Sequence, residues 1–102
     1  MSYASLELMS SVPEARGAAY SDAAGNVIEQ VGQLEADTVC AVAAMSMATL
    51  DEVGALLGLG PLQGWSIVSQ QSSLYVHRRG GGFVAVVGPP SKNPEGMLKK
   101  LG

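Results

Sequence analysis

The sequence predicts an α+β domain in the order α-β-β-α-β-β-β-α, and three observations carry that reading. One long run, Asp37–Gly58, is apolar at helical spacing. Two short β-prone runs precede it around a turn-rich pentapeptide, and three more follow it. The connections among the last three are short enough for antiparallel neighbours. A chain of 102 residues suits one modest core, so residues 1–102 are read as one domain.

In chain order, Ala4–Val12 is a short amphipathic helix with Leu6 and Met9 on one side, opened by Ser5 and stopped by Pro13. Gly17–Ser21 and Val27–Val31 are strands of a hairpin, joined by Asp22-Ala23-Ala24-Gly25-Asn26, residues that tolerate positive φ. Glu35 and Asp37 put negative charge at the positive end of the long helix, and either Asp37 or Thr38 can cap it. Gly58, Gly60 and Pro61 end it. Trp65–Gln70, Leu74–Arg79 and Phe83–Val87 are the remaining strands, connected through Gln71-Ser72-Ser73 and Gly80-Gly81-Gly82. Phe83–Val87 is apolar on both faces, as a central strand covered on both sides should be. Asn93-Pro94-Glu95 opens a final short helix through Leu101.

The long helix is the most informative element. At about 100° per residue, Val39, Val42, Ala43, Ser46, Leu50, Val53 and Leu57 share one side, which is the expected core face. The opposite side holds Ala41, Ala44, Met45, Ala48, Ala55 and Leu56, with only Asp51 and Glu52 charged. A helix apolar nearly all round must be covered nearly all round, and one small core cannot wrap both sides. The second face is therefore expected to meet another chain. Ala41, Ala44, Met45 and Ala48, with Asp51 and Glu52 as a negative rim, are the expected partner-binding residues; the same strip could instead serve as a dimer seam.

Composition excludes several classes. Hydrophobic residues make up 47% and charged residues 15%, which argues against disorder. The net charge of −3 argues against a nucleic-acid partner, which needs a basic footprint. Residues 1–60 hold eight acids against Arg16 alone, and residues 61–102 hold five bases against Glu95. That asymmetry either orients a partner or lets the two halves neutralise each other. The first residues lack a basic and apolar leader, and no apolar run is read as approaching about 18 residues, so neither membrane insertion nor export is expected. The expected location is cytoplasmic.

Catalytic constellations are weak. Cys40 is the single cysteine and sits among Val39, Ala41 and Val42, the setting of a buried small hydrophobe. His77 is the single histidine, with no carboxylate near it in sequence. One His and one Cys cannot build a zinc site, and no metal or cofactor is expected. Arg79-Gly80-Gly81-Gly82-Phe83 lacks the lysine and hydroxyl of a phosphate loop and reads as a hairpin turn. Trp65 serves either core packing or an interface.

Several pieces in fixed order resemble the roadblock / dynein light chain family, in its bacterial form. They are Val12-Pro13-x-x-Arg16-Gly17-Ala18 at the entry to the first strand, Asp22-x-x-Gly25-x-Val27-Ile28 at the first hairpin and Val31-Gly32 at its exit. Ala41–Leu59 resembles the family's long helix with its L-G-L-G end, and Leu74-Tyr75-Val76 with Phe83-Val84-Ala85-Val86-Val87 resembles its last two strands. The closing MLKKLG is short for the family's final helix. The resemblance implies a three-layer α/β/α sandwich around a five-stranded antiparallel sheet of order 2-1-5-4-3. It also implies homodimers in which the third strands pair and the long helices lie side by side, which puts Trp65, Ile67, Val68 and Ser69 at the dimer interface.

The function implied is a non-enzymatic regulator or adaptor whose paired helices bind a small Ras-like GTPase. It would hold the switch regions in place without an arginine finger, since the long helix carries no arginine. The alternative is a light-chain or scaffold subunit that binds a paralogous roadblock chain or a peptide helix. A sensor or enzyme built on Cys40 or His77 is a third class, separable by thiol labelling.

Overall fold

A computed structural model describes residues 14–90 together with Gly96, Leu98 and Leu101. Five strands and one long helix follow in the order β1 (Gly17–Asp22), β2 (Val27–Gly32), α1 (Ala36–Leu56), β3 (Gly64–Val68), β4 (Ser73–Arg79) and β5 (Gly82–Gly88). The predicted helix Ala4–Val12 and the cap at Asn93-Pro94-Glu95 lie outside the described residues. Gly96, Leu98 and Leu101 are helical.

All pairings are antiparallel and the sheet order is β2-β1-β5-β4-β3, as expected. β5 is the middle strand, and Phe83, Val84, Ala85 and Val86 are buried on both of its faces. The predicted strands are displaced by one or two residues at their ends. Ser69 and Gln70 are not strand: Ser69 closes a turn by donating its N–H and its hydroxyl to the Ser72 carbonyl (2.9 and 2.8 Å).

Two cores flank the sheet. Ala19, Val76, Phe83 and Ala85 meet Ala36, Cys40, Ala43 and Met47 of α1 on one face. On the other, Ala18, Tyr75, Val84 and Val86 meet Leu101, with Leu98 packed beside it. The third layer is thus visible through Leu98 and Leu101.

Hairpin geometry explains the glycines that matter most. A Cβ on Gly82 would lie 1.8 Å from the Ser21 carbonyl oxygen, so only glycine lets β5 approach β1 there. Gly80 has φ 59° in the β4–β5 turn. These requirements account for Gly80 and Gly82 of the glycine run.

α1 begins from Glu35, which makes no side-chain cap bond. Asp37 and Thr38, expected as caps, lie inside the first turn; Asp37 still places its charge at the positive helix end. The C-terminal end matches expectation, with Gly58 at φ 71° donating to the Ala55 carbonyl (3.1 Å).

Candidate functional site

The helical phase differs from the expected one by roughly a quarter turn. Small residues and one methionine face the sheet: Ala36, Cys40, Ala43 and Met47 are buried. Val42, Leu50, Val53 and Leu57, expected in the core, are exposed, Val42 at 49% and Leu50 at 37%. Val39 and Ala43 lie on the core side as expected. The reason is steric. Apolar residues run round the whole helix, so hydrophobicity alone does not set its rotation. The sheet beneath presents Ala19 and Ala85 beside Val76 and Phe83, and where the alanines let the helix approach closely its own side chains are small, Met47 alone being long.

The outward face consequently carries the large apolar side chains. Met45 is 72% and Leu56 87% exposed, beside Val42 and Val53. By length and composition alone α1 could cross a bilayer, with a mean hydropathy of 1.5 over its most apolar window, a property the absence of an uninterrupted apolar run conceals. Only 17% of that window is buried. Its inner side is nonetheless packed on the sheet.

The expected partner strip divides in the structure. Ala41, Met45, Ala48 and Glu52 are exposed, whereas Ala44 packs against the core. Gly25 of the β1–β2 turn sits on this part of the helix: a Cβ there would lie 3.1 Å from the Ala44 Cβ and 3.3 Å from the Ala41 Cα. The backbone that these small residues admit is therefore the chain's own. Asp51 is not a free acid. It pairs with the Arg78 guanidinium and accepts the Leu62 N–H at 2.7 Å, so Glu52 is what stays of the expected Asp51–Glu52 rim. Arg78, Asp51, Ala48, Ala44 and Gly80–Gly82 border a cleft of about 420 Å³.

A second depression follows from where α1 lies. The helix sits mainly over β1, β2 and β5, leaving its side of β3 open. There Met45, Ser46, Thr49 and Leu50 face Trp65, Ser66 and Ile67 across a groove of about 490 Å³. Sequence reasoning placed Met45 on the partner strip and Leu50 in the core; the structure brings them together with the β3 residues. Trp65 is part-buried and packs against the helix-side core, and its Nε1 is buried without an acceptor among the described residues. Ile67 and Val68 are exposed at 55% and 45%, on opposite faces of the strand.

The two sheet edges differ in kind. On β2 the register slips between Tyr20↔Glu29 and Ser21↔Val27, leaving Ile28 as a bulge that interrupts the edge. β3 pairs with β4 without interruption from Gly64↔His77 to Val68↔Ser73, so among the described residues its outer side is a regular unpaired edge.

Titratable groups show no catalytic assembly among the described residues. Burial pushes the Cys40 thiol up, the Ser21 hydroxyl pulls it partly back, and the Asp37 charge raises it again. His77 uses Nδ1 on the Arg78 carbonyl at 2.7 Å. Among the described residues no three of His, Cys, Asp and Glu gather as a metal-binding group.

An open antiparallel sheet of this order with one long helix on a face defines the roadblock-like α+β fold. Neither a protein-family profile nor a curated protein matches the sequence. Solved structures do. A roadblock/LC7 domain from Streptomyces avermitilis superposes with a TM-score of 0.83 at 19% identity, covering 99% of this chain and 88% of that one. The gliding protein MglB from Thermus thermophilus gives 0.75 at 19%, covering 96% and 85%. An MglB in a tetrameric arrangement gives 0.75 at 24%, covering 94% and 74%. At these identities the likeness is one of fold.

Proposed function

We propose that this chain is a non-enzymatic regulator or adaptor that dimerises with itself and binds a small Ras-like GTPase through its paired long helices. Residues 1–102 act as one roadblock-like domain, in the cytoplasm, without cofactor, nucleic acid or membrane insertion. The carrying observation is the rotation of the helix: Ala36, Cys40, Ala43 and Met47 face its own sheet, and Val42, Met45, Val53 and Leu56 face outward beside the regular β3 edge. A free monomer gains nothing from that arrangement, whereas a second copy covers it. Crossing a membrane would strip Ala36, Cys40, Ala43 and Met47 from the sheet. Self-association in this fold is supported by the tetrameric MglB arrangement. The GTPase is what the family resemblance implies, and α1 has no arginine to offer, so its role is to position the switch regions.

The exposed flank left for the GTPase is Ala48, which borders the Arg78 cleft, and Glu52. Ala48→Arg should keep the melting temperature and the dimer and lose the GTPase. The experiment is an affinity capture with the chain immobilised and the GTPase loaded with either nucleotide. Nucleotide-dependent recovery that Ala48→Arg abolishes supports the reading. Recovery of a paralogous chain in its place supports the scaffold alternative.

A further inference from the structure

The connection from α1 to β3, residues 57–63, is poorly fixed by its own composition. Gly58 and Gly60 take φ 71° and 83°, and Leu57, Leu59 and Pro61 are exposed. Its last residues are nevertheless held from two sides. Asp51 on the helix accepts the Leu62 N–H at 2.7 Å. Arg78 on β4 donates Nε to the Leu62 carbonyl and an Nη to the Asp51 carboxylate, while its backbone N–H reaches the Gln63 carbonyl at 2.7 Å. Both peptide groups of Leu62 are thus satisfied by a pair that bridges helix and sheet. One residue separates Leu62 from Gly64, where β3 begins.

We propose that Asp51 and Arg78 are positioning residues for self-association: they pin the entry of β3 and so preset its free edge for pairing. This rests on the dimer reading above. Among the described residues β3 is bonded to β4 along one side only, and the Ser69–Ser72 turn secures its far end. Without the pair the near end frays, and association must then order it, which lowers affinity even though the docking surface keeps all its side chains. Asp51 and Arg78 do not line the β3 groove, so the effect does not come from removing a residue of that surface.

The test is sedimentation equilibrium of the full chain with Arg78→Ala, Asp51→Asn and the double variant, beside hydrogen exchange on the β3 amides bonded to β4. Val84→Ala, buried on the opposite face, is the stability control. Each single variant should raise the dimer dissociation constant about tenfold, and the double variant should do no worse, because both act through one bridge. β3 exchange should quicken in the diluted monomer of those variants and not in Val84→Ala. Dissociation constants within about twofold of wild type, or an equal loss in a control matched for melting temperature, overturn the proposal alone. A wild-type chain that stays monomeric overturns the dimer reading and the proposal together.

Discussion

Asp22 shows how one side chain builds the β1–β2 turn that leans on α1. Its Oδ1 accepts the Ala24 and Asn26 N–H groups at 3.0 and 2.9 Å, and Oδ2 accepts the Asn26 Nδ2 at 3.1 Å. The Asn26 backbone bond, followed by its side-chain bond, holds the carboxyl below the ordinary aspartate value. A lowered carboxyl contributes its stability above the unfolded value and loses it as pH falls through the folded one. An NMR titration following the Ala24 and Asn26 amides should therefore show its midpoint below that of an unfolded aspartate. A midpoint at or above that value would contradict the turn geometry. Cys40 makes a complementary case. Buried beneath the helix with a raised thiol, it should resist a neutral-pH thiol reagent in the native chain and label fully in denaturant. Prompt native labelling would reopen a reactive role for it.

The elements were legible to different degrees, and packing explains why. Local signals placed the strands and both ends of α1 to within a residue or two, since turns such as Asp22–Asn26 and the Gly58 helix end are written in residues with special backbone chemistry. The central place of β5 was legible because Phe83–Val87 has no polar alternation. The helical phase was not legible, because it depends on how closely Ala19 and Ala85 let the helix approach, a fact held in another element. The groove beside β3 shared that fate: Met45 was read on the outer strip, but pairing Leu50 with Ile67 required the phase. The same packing sets an order of mutational costs opposite to the one hydrophobicity implies. Ala43→Leu overfills a closed seam and should cost about 1–3 kcal/mol. Leu50→Ala, partly exposed, should cost about 1 kcal/mol or less in the monomer. Chemical denaturation of dilute protein measures both, and a larger loss for Leu50→Ala would restore the phase read from sequence.

At the scale of the whole molecule, the sheet has one edge interrupted by a bulge and one that is regular. The Ile28 bulge interrupts β2, so a second sheet laid along it would lose register within a few residues. β3 is regular, and the groove beside it continues the outward apolar surface of α1 from Met45 and Leu50 to Ile67. On the proposed dimer, strand pairing at β3 and helix contact across that groove belong to one surface, so association should be sensitive at one edge only. Ile67→Lys and Ile28→Lys introduce the same charge at positions of similar exposure, 55% and 62%, so neither should shift the monomer's melting temperature appreciably. Ile67→Lys places an unpaired ammonium in a surface that association dehydrates, and should weaken the dimer by more than about tenfold. Ile28→Lys should leave it unchanged. Light scattering across a concentration series separates the two. If Ile28→Lys is the variant that dissociates, the seam runs along β2 despite its bulge, and the outward face of α1 belongs to a different partner.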